Sequence, residues 1–142
     1  MKYSDIYRLY STSQPKDAIH QALREVPVDD SDEQYEDRSP LHLACQYGDA
    51  EGVKILLERD AEPNTKDANG STPIHILGRT SADRADEDKL KEIAVMLMEH
   101  GANIPRSAKN TTALIECVRN RHFKMAEAII NSGARVNSTD LN

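Results

Sequence analysis

Ser39-Pro40-Leu41-His42-Leu43-Ala44 is followed 33 positions later by Thr72-Pro73-Ile74-His75-Ile76-Leu77, and a weaker copy stands at Thr112-Ala113-Leu114-Ile115-Glu116-Cys117. A period of roughly 20 to 50 residues signals stacked supersecondary units, so this repeat decides the fold before any single element is assigned. A second motif travels with the first. Val53-Lys54-Ile55-Leu56-Leu57-Glu58-Arg59-Asp60-Ala61 matches Ala94 to Ala102 and Ala126 to Ala134 in pattern, so both halves of the unit occur three times.

Each unit reads as two short helices. Pro40 and Pro73 preset the backbone of a first helical turn, and the preceding Ser39 and Thr72 can cap its open amides. The second helix carries apolar residues at helical spacing, as in Val53, Leu56 and Leu57, or Ile93, Met96 and Leu97. Gly101 and Gly133 stand where a left-handed C-terminal cap is wanted, and Asp60 is a poorer substitute. Between units, Pro63 to Gly70 and Pro105 to Asn110 are rich in the residues that make turns.

The period, the TPLH-like core and the Gly-Ala-x-x-Asn ending resemble ankyrin repeats, with the match running from about Tyr35 to Asn137. The resemblance implies an all-α ankyrin-repeat solenoid of stacked helix-turn-helix units with projecting hairpin loops. The N-terminal patches Ile6 to Tyr10 and Asp17 to Leu23 add a degenerate capping unit. Residues 1–142 are thus expected to form one domain with units at about 4–36, 37–66, 67–107 and 108–142. The third unit is longer than its neighbours, with eight extra residues around Arg79 to Asp88, suited to a solvated loop or to the acidic first turn of a lengthened helix. The start at Met1 favours a complete chain.

Composition narrows the function. A net charge of -6 and a pI near 5.3 argue against a nucleic-acid or anionic-membrane surface, and no stretch is apolar enough to span a bilayer. Cys45 and Cys117 are too few and too distant for a disulfide framework, which suits a reducing cytoplasm. Charge is uneven: Met1 to Asp37 holds nine acids against four bases, whereas Ile104 to Asn142 holds six bases against three acids. The densest run, Asp29 to Asp37, lacks the ligand order of a calcium loop and is read as a solvated first hairpin, the functional alternative being that its negative field steers a basic partner. Tyr3, Tyr7 and Tyr10 share one helix face and are expected to pack on the second unit, the alternative being that they face the concave surface as interface anchors.

No motif supports catalysis, and no metal or cofactor is implied. His20, His42, His75, His100 and His122 carry the competing reading of an enzyme or metal protein. The resemblance instead makes His42 and His75 hydrogen-bonding residues within and between units, a chain that Ile115 interrupts. It also implies a non-catalytic module that binds another protein through hairpin tips and first-helix surfaces. Carried over position by position, that surface comprises Tyr35, Glu36, Arg38, Gln46 and Tyr47 in the second unit. The third supplies Ala68, Asn69, Ser71, Arg79 and Thr80, and the fourth Ala108, Lys109, Thr111, Arg119 and Asn120. Arg121 replaces Gly48, so the last turn is expected to differ. A monomer is expected. The alternatives are a neutraliser of a basic enzyme or toxin, and head-to-tail self-association of the acidic first unit with the basic last one.

Overall fold

In the computed structural model the described residues are 1–80, 86–102 and 112–140, the side chains of 112–114 and 132–140 excepted. The chain forms helices α1 (Tyr3–Ser11), α2 (Lys16–Glu25), α3 (Pro40–Gln46), α4 (Ala50–Glu58), α5 (Pro73–Gly78), α6 (Glu87–Glu99), α7 (Thr112–Arg119) and α8 (Phe123–Asp140), with a 3-10 turn at Glu33–Tyr35. Successive helices pair as α1 with α2, α3 with α4, α5 with α6, and α7 with α8. The first helices also stack on one another, as do the second helices, which gives two adjoining layers. No strand occurs among the described residues, and the tips at 33–38 and 67–71 are turns closed by backbone hydrogen bonds from Asp37 to Asp32 and from Asp67 to Ser71.

The helix starts form as the sequence predicts. Ser39 Oγ accepts from the His42 amide at 3.3 Å, and His42 Nδ1 accepts from the Ser39 amide at 3.0 Å, a reciprocal cap that places Pro40 in the first turn. Thr72 and His75 repeat the arrangement. Asp49 caps α4 through the Gly52 amide at 3.1 Å, and Asp86 caps α6 through the Lys89 amide at 2.8 Å.

The helix ends depart from expectation in two places. Asp60 and Arg121 both adopt left-handed backbone, with φ of 66° and 62°, beside φ of 63° at Gly48 and 99° at Gly101. The turn at Arg121 therefore keeps the geometry of the Gly48 turn. Gly133 does not end its helix, because α8 continues to Asp140. Pro63 and Pro105 follow Asp60 and Gly101 within four residues and forbid continuation, whereas no proline follows Gly133.

Between the layers lie Leu23, Leu41, Leu43, Leu56, Leu77, Leu90, Ile93 and Leu97, all fully buried. Each contributes about 1.5–3 kcal/mol by leaving water. Tyr3 and Tyr10 are buried as well, and the Tyr10 ring stacks on Tyr47 at a centroid distance of 4.8 Å. The tyrosine face of α1 thus packs on the second helix pair as expected. In the third pair, the C-terminal end of the extra segment supplies the cap and first turn of α6, making that helix longer than α4. Glu87 Oε1 accepts from the Phe123 and Lys124 amides at 2.8 and 3.3 Å, so an acid of α6 caps the open start of α8.

Replacing Asp60 or Arg121 by Gly should raise unfolding stability by about 0.5–1 kcal/mol each in urea titration, because an L side chain is disfavoured there. Gly52→Ala should do the opposite of an ordinary helical Gly→Ala change. The new Cβ would lie 2.6 Å from Asp49 Oδ2 and 2.9 Å from both Tyr10 Oη and Leu23 Cδ1, so a loss of about 1–3 kcal/mol is expected in the same titration.

Candidate functional site

Four of the five histidines resolve here by what their nitrogens touch. His42 is fully buried, with Nδ1 engaged by Ser39 and Nε2 2.8 Å from the Ser71 carbonyl in the next pair. Burial disfavours its charged form and lowers its pKa, outweighing the Ser71 carbonyl and Asp67, which favour it. His20 Nε2 lies 3.0 Å from both oxygens of Asp49, which also accepts from Tyr10 Oη at 2.7 Å. His122 Nε2 meets the Thr80 carbonyl at 2.7 Å, and His100 Nδ1 the Met96 carbonyl at 2.8 Å. Three of these four histidines bind a neighbouring helix pair, which is a structural use.

The sequence-derived surface divides into contacts that face solvent and contacts that face inward. Glu36, Ala68, Asn69, Arg79, Arg119 and Asn120 are exposed, and Tyr35, Arg38, Gln46 and Tyr47 are half-buried. Ser71 and Thr80 are buried and leave the surface. Ser71 gives its carbonyl to His42 and its Oγ to Arg79, while Thr80 Oγ1 donates to the Cys45 carbonyl at 2.9 Å. Ala108, Lys109 and Thr111 lie outside the described residues.

Thr80 reveals a rule of register. Tyr47, Thr80 and Asn120 occupy the same position just past the ends of successive first helices, and each reaches back: Tyr47 onto Tyr10, Thr80 to Cys45, Asn120 to the Gly78 carbonyl at 3.1 Å. That position stitches units together.

Arg38 organises the outward part. Its guanidinium meets Glu36 Oε2 at 3.0 Å, Asp67 Oδ2 at 3.3 Å and Gln46 Oε1 at 2.9 Å. Burial pushes the Asp67 carboxyl up, but hydrogen bonds from the Ser71 and Asn69 amides and from Arg38 outweigh it and hold the group below its usual range. One turn position along, Arg79 Nη1 reaches Ser71 Oγ at 3.4 Å, repeating the Arg38–Gln46 spacing with donor and acceptor exchanged. The Ala68 amide donates to the Glu36 carbonyl at 2.7 Å and ties the two tips into one edge. Beside Arg38, Glu36 and Gln46 opens a cleft of about 230 Å³, walled by Tyr3, Tyr7 and Tyr35 with Gln34 at its rim. Sequence reasoning missed Asp67 and Gln34. The Asp67-Ala68-Asn69-Gly70 turn held the signal for Asp67, because an Asp opening such a turn accepts amides ahead of it.

A profile for ankyrin repeats in many copies matches residues 22–77, and one for a single ankyrin repeat matches 109–141. The chain belongs to the ankyrin-repeat family. Ankyrin repeats are generally protein–protein interaction modules and generally non-catalytic. Ankyrin relatives include a transient receptor potential cation channel subfamily A member 1 homolog of Caenorhabditis elegans, 39% identical over 62 residues, covering 44% of this chain and 5% of the relative. The ankyrin repeat protein nuc-2 of Neurospora crassa is 29% identical over 124 residues, 86% of this chain and 10% of that protein. Neurogenic locus notch homolog protein 1 of Xenopus tropicalis is 35% identical over 100 residues, 70% of this chain and 4% of that protein. The chain spans a tenth or less of the length of these relatives. No helix among the described residues is long and apolar enough to cross a membrane.

Tyr10→Phe should cost about 1–2 kcal/mol in chemical unfolding, since it removes a buried charge-assisted hydrogen bond to Asp49. Because the folded state holds His42 neutral while the unfolded chain protonates near pH 6.5, the unfolded state binds more protons below that value. His42's contribution is therefore complete above about pH 6.5 and declines as pH falls through the window beneath it. An NMR titration should show the His42 ring still neutral below pH 6.5.

Proposed function

We propose that this chain is a non-catalytic, monomeric interaction module that binds a basic partner protein in the cytoplasm. The binding strip runs along the tips and first helices, from Tyr35, Glu36 and Arg38 through Ala68 and Asn69 to Arg79 and Arg119. The observation that supports it most is the Ala68–Glu36 hydrogen bond beside the Arg38 cluster: two tips are fixed as one edge, with Asn69, Glu36 and Arg79 left exposed upon it. An edge held in place loses little freedom when a partner arrives. The acidic run from Asp29 to Asp37 adjoins the strip, which favours a partner of positive charge and accelerates its encounter.

A second reading, self-association, is favoured by the last helix pair, where Ile115, Val118, Phe123 and Ile130 are all about half exposed. An apparent mass that rises with concentration in analytical ultracentrifugation would move the account to that reading.

The tagged protein should capture a partner from a lysate of its source at low salt, and a Glu36→Ala, Asn69→Ala, Arg79→Ala variant with unchanged circular dichroism should lose it. A control variant altered at Glu51, Lys54 and Glu58, exposed on α4 in the other layer, should retain it. Retention by the first variant and loss by the control would place binding on the second-helix layer and contradict the proposal.

A further inference from the structure

The tyrosine cleft is negatively biased in spite of the arginine in its wall. Arg38 is answered by two carboxylates and an amide oxygen, at 3.0, 3.3 and 2.9 Å, so an incoming anion meets no uncompensated positive charge there. Between Asp29 and Asp37 there are six acids and no base. Asp30 is held next to a lining residue, since its Oδ2 accepts from the Tyr3 amide at 2.8 Å. The Glu36 side chain is 54% exposed, and its backbone is held in place by the Ala68 contact, so the carboxylate faces solvent at a defined spot.

The walls are aromatic. The Tyr35 ring packs on Tyr7 at 4.4 Å and on Tyr3 at 5.7 Å, centroid to centroid, and the half-buried Tyr35 and Tyr7 rings of this cluster line the cleft. Aromatic faces attract cations, and a carboxylate at the rim adds a directional acceptor. The volume of about 230 Å³ is below the roughly 300–1,000 Å³ usual for whole small-molecule ligands and suits one side chain. Resting on the reading of the chain as a binder of a basic protein, we propose that this cleft is where an arginine side chain of that partner inserts, its guanidinium stacked on Tyr35 and paired with Glu36. Arginine is favoured over lysine because a planar, weakly hydrated fork both stacks on a ring and matches a carboxylate.

The test is an NMR titration of the isotope-labelled chain with a short peptide bearing one arginine among glycines and serines. The controls are the same peptide with citrulline, with lysine and with glutamate at that position. Amide shifts should concentrate at Gln34 to Arg38 and in α1. Citrulline should weaken binding about tenfold or more, because it keeps the shape and removes the charge. Glu36→Gln should weaken it several-fold with the spectrum otherwise preserved, and Tyr35→Leu should do so while retaining bulk.

Equal binding of the citrulline peptide, preferred binding of the glutamate peptide, or cleft shifts that grow with protein concentration alone would each overturn the proposal. Shifts confined to Asn69 and Arg79 would overturn the cleft and leave the wider strip standing. Shifts confined to α4 and α6 would overturn both. No shifts at millimolar arginine peptide would overturn the cleft alone, because the strip is tested separately by whole-partner capture.

Discussion

The buried imidazole of His42 is the contact on which much else rests. One ring nitrogen closes the cap that starts α3, and the other meets the Ser71 carbonyl of the next helix pair. Local helix formation and long-range stacking therefore share a single side chain. In a solenoid each unit touches only its neighbours, so cooperativity must come from the contacts between neighbouring units. His42 is joined in that role by Asp49 with Tyr10 and His20, by Arg59 donating to the Leu23 and Val26 carbonyls, and by Glu87 at the start of α8.

These links also explain why the candidate surface is organised as it is. Ser71 accepts from His42 and sits between the Asp67 turn and Arg79, so fixing Ser71 fixes the tip beside it. Asp67 then holds Arg38, and Arg38 holds Glu36 and Gln46. A chain of polar contacts runs from the buried His42 to the rim of the tyrosine cleft. The side chains offered to a partner are in this way pre-positioned by groups that a partner never touches.

Much of the fold was legible because repetition prints the same instruction several times. Ser39-Pro40 and Thr72-Pro73 mark helix starts through chemistry that acts within four residues, and the apolar spacing of Val53, Leu56 and Leu57 is a local signal too. Arg121 and Gly133 misled for opposite reasons. The first takes the left-handed turn that glycine takes at Gly48, with the same backbone hydrogen bond closing it, and the second is passed over by a helix with no proline to stop it. The surface was less legible. Family position correctly placed Glu36, Asn69 and Arg79 at exposed sites, but Ser71 and Thr80 spend their polar atoms on contacts across units, which no spacing within one unit reveals. Gln34 joins the site only through three-dimensional neighbours, and although the Asp67 turn is legible in the sequence, its pairing with Arg38 is not.

All five tyrosines lie between Tyr3 and Tyr47 and tryptophan is absent, so tyrosine fluorescence reports the first two helix pairs while far-ultraviolet circular dichroism reports every helix. Urea unfolding of the parent and of His42→Ala, followed by both signals, tests the coupling directly. Coincident transitions in the parent, and two separated midpoints in His42→Ala, are the predicted result. Transitions that already differ in the parent, or that remain coincident and unshifted in the variant, would contradict the claim that His42 joins the units into one cooperative platform.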